Sequence, residues 1–291
     1  MSSTARSPSR YSTSGLFGTF KLDCKAAALE FVGTTLFLLL GLGGIQAATG
    51  EAEASGTTIE HVMYIATSMG FSLLVSAWLF YRITGGLFNP NITLALFLVG
   101  VLNPVRSVLF CIAQLVGAIV ASALLSALIP GPLSVNTFLK QGINPAQGIF
   151  IEMILTATLA LAVLMLAAEK SQVTPFAPIG IGLTLFVGHL WAVFYTGASM
   201  NTARAFGPAV VTGFPYSSHW VYWVGPFLGS LLGAAFYGML KWIHYQDLNP
   251  AQASTQEKNS PDLLSEASTD KPVPSRDGAR RSAGSAGIIN A

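Results

Sequence analysis

Long apolar runs recur along the chain at about 26–48, 62–80, 106–129, 149–168, 176–196 and 220–243. Each reaches or approaches the roughly 20 residues that carry a helix across the hydrocarbon core of a bilayer. Little more than Glu169, Lys170 and Ser171 stands between the fourth and fifth runs, the pattern of a tight loop. Two further apolar stretches, 91–100 and 202–212, are too short to span, and each follows glycines and an asparagine. They read as half-helices that dip into the membrane and start near its middle. The fold predicted is an all-α membrane protein with six transmembrane helices plus two re-entrant half-helices. The flanks, 1–20 and about 246–291, are polar and rich in Ser, Pro, Ala and charge. They cannot bury enough apolar surface to order themselves, so they are expected as disordered tails around a membrane domain over 21–245.

Composition agrees with a lipid solvent: 52% of the residues are hydrophobic and 10% charged, against roughly a quarter charged in soluble domains. The first twenty residues lack a continuous apolar core, so no cleaved signal peptide is expected. The carboxyl tail mixes five basic with six acidic residues, and the net charge is +2; nothing here argues for nucleic acid. Flanking charge sets the orientation. Arg6, Arg10, Lys21 and Lys25 precede the first span, Arg82 and Arg106 lie between the second and third, Lys170 between the fourth and fifth, and Lys241 ends the sixth. The opposite side offers Glu51, Glu53 and Glu60, with Lys140 after the third span. The positive-inside rule therefore puts both termini in the cytoplasm, with the plasma membrane favoured over an internal one. Arg204, on the outer side, needs another use. Cys24 and Cys111 are expected as free thiols.

The chain is also two related halves, about 21–130 and 145–245. Glu30-x-x-x-Thr34 in the first span and Glu152-x-x-x-Thr156 in the fourth are followed, 59 and 49 residues later, by Asn-initiated motifs. These read Gly85-Gly86-Leu87-Phe88-Asn89-Pro90-Asn91-Ile92-Thr93 and Tyr195-Thr196-Gly197-Ala198-Ser199-Met200-Asn201-Thr202-Ala203-Arg204. Three spans per half is an odd number, so the halves enter the membrane with opposite orientations and form an inverted repeat. Non-helical backbone at membrane depth is tolerated only when it is buried in protein or lines a wet cavity. The loops leading to Asn89 and Asn201 should therefore line a pore. Two half-helices aiming their amino ends at the midplane bring two partial positive charges there, which repel cations and protons. Asparagine amides at those ends offer N–H donors to a passing oxygen.

These features, over about residues 22–245, resemble the aquaporin (major intrinsic protein) family, whose signature is a pair of Asn-Pro-Ala motifs. The resemblance extends to Gln114 in Ala113-Gln114-Leu115-Val116-Gly117-Ala118, to Gly188-His189, to the run Asn201–Ala209, and to Trp220-Val221-Tyr222-Trp223-Val224-Gly225-Pro226-Phe227. It implies a homotetramer with one pore per subunit, for which the small-residue ridges Gly225/Gly229/Gly233 and Ala113/Gly117/Ala121 would permit close helix approach in lipid. It also implies an outer selectivity filter at Met69, His189, Ala198 and Arg204. An arginine on an intramembrane segment is costly, which favours a cation barrier and water donor over a stray charge. His189 stands twelve residues before Asn201, as in water-selective members. Met69 departs from the family's usual aromatic, so the filter is expected to be wider or softer. Glu30 and Glu152, read as lying in the first turns of their spans, resemble the family's buried glutamates. With Gln114, they are expected to hold the pore loops in place of coupling protons.

The resemblance favours a passive water pore, supported by His189, by Ala205 where glycerol-conducting relatives usually carry Asp, and by Tyr222-Trp223. A broader pore for glycerol, hydrogen peroxide or gas is the alternative, supported by Met69, Ala198 and the altered motifs; a non-conducting scaffold is a third reading. No nucleophile–base pair, metal cluster or phosphate loop is found, so no enzyme activity, cofactor or metal is expected; the partners are water, small neutral solutes and lipid. Both motifs depart from the signature, as Asn-Pro-Asn and Asn-Thr-Ala. In the family, the Pro of one motif packs on the Ala of the other. Here Pro90 would still meet Ala203, while Asn91 would meet Thr202, turning an apolar contact into a side-chain hydrogen bond; the competing reading is that both face a roomier pore and bind water. Asn144-Pro145-Ala146 reads as a coincidental loop turn, and Asn103-Pro104 as the start of the third span.

Overall fold

The structure, a computed structural model, describes residues 17–52, 58–140 and 142–250, with the backbone alone at 50–52. The tails expected at 1–20 and 246–291 lie outside the described residues except for 17–20 and 246–250. Among the described residues, eight α-helices follow in order: α1 Phe20–Ala52, α2 Ile59–Phe80, α3 Pro90–Leu98, α4 Pro104–Leu128, α5 Pro145–Val163, α6 Ala177–Ala192, α7 Thr202–Thr212 and α8 Val221–Trp242. Helix α5 closes in a wider turn over Leu164–Ala168, and short 3-10 turns precede α6 and α8. Six helical segments among the described residues are long and apolar enough to cross a membrane. Helices α3 and α7 are the half-helices.

The helix starts are written in the sequence. Thr58 caps α2 by accepting from His61 N at 3.2 Å, and Asn103 caps α4 by accepting from Arg106 N at 2.7 Å. Asn144 caps α5 in a full capping box with Gln147. Asn144-Pro145-Ala146 is therefore the capped start of a span, correcting its reading as a loop turn: the Asn side chain satisfies a free N–H and Pro145 has none to satisfy. Helix α1 begins at Phe20, before its apolar run, because Asp23 in its first turn is buried against Arg106 Nε at 2.6 Å. With both helices extended in this way, Glu30 and Glu152 sit about two to three turns inside α1 and α5, deeper than the first turns expected of them.

Packing repeats between the halves. Helix α1 packs on α4 and α5 on α8, while α2 meets α6 across the halves. Glycines set the distances. A Cβ on Gly117 would lie 3.0 Å from Phe31 O, and one on Gly229 would lie 2.6 Å from Met153 O. Gly225, Gly229 and Gly233 all face α5, and Gly117 faces α1, so these ridge glycines pack within the subunit. Outward, large apolar side chains such as Phe71, Trp78, Ile112, Phe150, Val187 and Phe227 are exposed, as a lipid-facing surface requires. Cys24 and Cys111 are both free.

The end of the bundle that holds the start of α1 and the end of α8 carries two ion-paired joints. One is Asp23 with Arg106; the other is Glu169, which accepts from Tyr237 Oη at 2.6 Å, Lys241 Nζ at 3.1 Å and Gln246 Nε2 at 3.3 Å. Burial opposes the Glu169 charge, but the hydrogen bonds from Tyr237 and Lys241 outweigh it and hold the carboxyl below its usual 4.5. A carboxylate with a depressed pKa stabilises the fold above its unfolded value, and that contribution is lost as pH falls through the folded one. Melting temperature measured against pH should therefore drop below about pH 4.5 in the wild type, and Glu169→Gln should flatten that limb. Gly207→Ala tests the packing: a methyl there overlaps the Ala118 carbonyl of α4. It should lower stability by roughly 1–3 kcal/mol in a thermal unfolding assay, because backbone cannot rotate aside.

Candidate functional site

Site geometry begins with two asparagines in nearly the same conformation. Asn89 caps α3 at φ −153°, ψ 116°, and Asn201 caps α7 at φ −158°, ψ 111°. Asn89 Oδ1 accepts from Asn91 N at 2.9 Å; Asn201 Oδ1 accepts from Ala203 N at 2.9 Å and Arg204 N at 3.3 Å. With each oxygen turned to its own helix, each amide nitrogen reaches across to the other half. Asn89 Nδ2 donates to Met200 O and Asn201 Nδ2 to Phe88 O, both at 2.8 Å. Each Nδ2 has two hydrogens, so one N–H per asparagine is left over from this exchange.

Phe88 and Met200, the residues just before the asparagines, have φ of 54° and 53°. Side-chain-bearing residues rarely adopt this left-handed region, and the neighbouring glutamates hold it. Phe88 N donates to Glu30 Oε1 at 2.6 Å, and Gln114 Nε2 donates to the same oxygen at 2.9 Å. Glu152 takes more. Its Oε1 accepts from Thr196 Oγ1 at 2.7 Å and Ser199 N at 3.0 Å, and its Oε2 accepts from Met200 N at 2.7 Å. Both glutamates are fully buried. The loops themselves correspond: Thr84 Oγ1 accepts from Gly86 N and Thr196 Oγ1 from Ala198 N, each at 3.2 Å.

Around the asparagines lies a narrow cavity of about 30 Å³. Its walls include Met69, Leu73, Phe37, Leu159 and Ile181, with Asn89, Asn201 and Gly85 among the lining residues. At about 10–15 Å³ for one water, it has room for about two or three. Of the four filter positions, Met69 lines this cavity; His189, Ala198 and Arg204 are buried outside its lining.

Arg204 is 2% exposed and His189 fully buried. The guanidinium donates from Nη1 to Val135 O at 2.8 Å, and no described protein atom pairs with its Nε. His189 Nδ1 is 2.9 Å from Leu185 O. A carbonyl only accepts, so Nδ1 carries the hydrogen and Nε2 of the neutral ring is an acceptor. That Nε2 is likewise unpaired among the described residues. The outer part of the site thus presents an unpaired donor and an unpaired acceptor on two buried residues.

Sequence reasoning missed the segment that holds Arg204. Residues 132–140 run without regular secondary structure between α4 and α5, with Val135 and Thr137 buried. The segment is fastened by Ser134 N to Gln46 Oε1 at 2.7 Å, Asn136 Nδ2 to Thr212 Oγ1 at 2.9 Å and Lys140 N to Tyr195 O at 2.9 Å. It has no hydrophobic period to betray it. Thr196 and Tyr222 were legible in principle. Aligning the halves sets Thr196 opposite Thr84, and Tyr222 Oη donates to Thr196 O at 2.6 Å.

Comparisons with known proteins point to one family. The family described as major intrinsic protein matches residues 19–237. Aquaporin-1 of Laccaria bicolor is 64% identical over 250 residues, which cover 84% of this chain and 80% of that one. Aquaporin-1 of Gibberella zeae is 47% identical over 227 residues, covering 77% and 71%. Among solved structures, the aquaglyceroporin from Plasmodium falciparum matches with a TM-score of 0.58 over 72% of this chain and 94% of that one; at 21% identity the likeness is one of fold.

The two glutamates should respond unequally to amide substitution. Glu30→Gln can still turn its one carbonyl oxygen to both of the donors that meet Oε1. Glu152→Gln cannot serve donors on both oxygens, and its NH₂ must face an N–H or O–H. Unfolding of the purified protein in detergent should show Glu152→Gln to be the more damaging, by roughly 2 kcal/mol.

Proposed function

The chain belongs to the major intrinsic protein family and is a membrane channel, not an enzyme; on that premise we propose that it conducts water passively, in single file, through a pore in each subunit. The observation that carries this reading is the reciprocal bonding of Asn89 and Asn201 at the facing ends of α3 and α7, beside a cavity of about 30 Å³ that both asparagines line. Each asparagine keeps one amide hydrogen for a passing oxygen. The half-helix dipoles place positive potential at the same point, so a water is held oxygen-inward and a chain of like-oriented waters, which protons would need, is interrupted.

In this reading Met69, His189, Ala198 and Arg204 form the outer filter. Arg204 Nε offers a donor and His189 Nε2 an acceptor to permeating water, and the fixed guanidinium charge turns cations away. Glu30, Gln114 and Glu152 hold the loops, and Pro90 against Ala203 keeps the half-helices in contact. Both termini lie in the cytoplasm, the membrane is the plasma membrane, and the assembly is a homotetramer. With the ridge glycines taken up inside the subunit, support for the tetramer comes from family membership. A broader neutral-solute pore is favoured by one observation: Met69, a flexible thioether chain, lines the cavity where the family usually has an aromatic ring.

Shrinkage of proteoliposomes after osmotic shock tests both readings. Sucrose should drive fast shrinkage with no re-swelling; re-swelling in glycerol or hydrogen peroxide would favour the broader pore, and shrinkage at the rate of empty vesicles would remove conduction altogether. Arg204→Ala should leave water flux within about twofold and raise proton or small-cation leak, whereas His189→Ala should admit larger neutral solutes. Unchanged selectivity in both variants would move the filter elsewhere.

A further inference from the structure

Where the two unusual motifs meet, backbone counts for more than side chains. Thr202 is the first residue of α7, so its N–H has no acceptor within the helix. The N-cap oxygen of Asn201 is already taken by Ala203 and Arg204 N–H. The acceptor for Thr202 N is Asn91 Oδ1, 2.9 Å away on the opposite half-helix. The Thr202 hydroxyl lies 3.0 Å from that same oxygen and 3.0 Å from Tyr222 O in α8, with one proton for the two. Tyr222 O lacks its helical donor, because the residue four positions on is Pro226, which has no N–H. Asn91 Oδ1 already receives the backbone N–H, so the hydroxyl proton goes to Tyr222. All three residues are buried.

We propose that Asn91 is a cap supplied in trans to α7, and that the Thr202 hydroxyl is a strut closing the hydrogen-bond gap that Pro226 opens in α8. Together they position Asn201, the residue before Thr202, whose amide faces the pore. A proline at 202, as in the family's usual motif, has no N–H and asks for no cap. A threonine does ask for one, and lipid cannot supply it. The departures at 91 and 202 therefore answer one another through the peptide group. Neither residue touches the permeating molecule; both act through Asn201, and this last link rests on the water-pore reading.

Two backgrounds separate a backbone cap from a side-chain bond: Thr202→Pro deletes the N–H and the hydroxyl, while Thr202→Val deletes the hydroxyl alone. Asn91→Ala is made in the wild type and in each background, and melting temperature in detergent and osmotic water permeability in liposomes are measured. In the wild type Asn91→Ala should lower the melting temperature by roughly 3–8 °C and cut permeability several-fold. The same drop should recur in the valine background and vanish in the proline one, where permeability should match that of Thr202→Pro alone. Thr202→Ser, which keeps both groups, should behave as the wild type. An equal drop in all three backgrounds, or one abolished by valine as well as proline, would overturn the cap. A thermal pattern as expected with unchanged permeability would overturn the positioning of Asn201. If Asn91→Ala alone gives no folded protein, recovery of folding by adding Thr202→Pro supports the cap and failure to recover overturns it. Should the wild type conduct no water, the water-pore reading fails while the thermal pattern still decides the cap.

Discussion

Lipid offers no hydrogen bonds, so each peptide group at membrane depth has to find its partner inside the protein. Spanning helices meet that demand by themselves; the loops before Asn89 and Asn201 do not. Their donors go to Glu30 and Glu152, and their last carbonyls, on Phe88 and Met200, go to the asparagine of the opposite half. A left-handed turn at Phe88 and at Met200 is what aims the N–H one way and the C=O the other. Such a turn is unfavourable for a residue with a side chain. It persists because it is fixed from both sides, and its geometry leaves one face of each loop for the cavity.

A charge at the same depth obeys the same rule. Arg204 is anchored by the carbonyl of Val135, which belongs to the connection between the halves and to neither repeat. That connection is tied to α1 through Gln46, to α7 through Thr212 and to Tyr195 beyond α6, so the guanidinium is held by a strap drawn across the bundle. At the opposite end, Asp23 with Arg106 and Glu169 with Lys241 and Tyr237 join elements distant in sequence. Ion pairs thus sit at one end and the anchored guanidinium towards the other, while the cavity is walled in part by Phe37, Leu73, Leu159 and Ile181.

Much of this was legible because the bilayer simplifies the code. Span length and apolar content place six helices, and the two short stretches after Asn89 and Asn201 emerge as α3 and α7 with boundaries shifted by one or two residues at most. The helix entrances were harder to read. Asn144-Pro145 looks like a turn when only the motif is considered and becomes a capping box once Gln147 is read with it. Glu30 and Glu152 were read as supports, but their depth depended on where α1 and α5 begin, which a buried ion pair and a cap decide and hydropathy does not. The strap over 132–140 was illegible: its order comes from hydrogen bonds to four distant places, and no local pattern records them. At Asn91 and Thr202 the side-chain chemistry drew attention to the pair, yet the shorter bond uses the Thr202 backbone N–H, a group every residue except proline carries.

The exchange between Phe88, Asn89, Met200 and Asn201 also bears on how the molecule is made. Its partners are 111 and 113 residues apart in the chain. A ribosome delivers the first half to the membrane well before the second exists. During that interval Phe88 O and Asn89 Nδ2 have no partners of their own, so the first half-helix cannot settle at its final depth without water or a helper beside it. The spans can be threaded one after another, but the centre of the pore is assembled last, when the second asparagine arrives from the other side of the membrane.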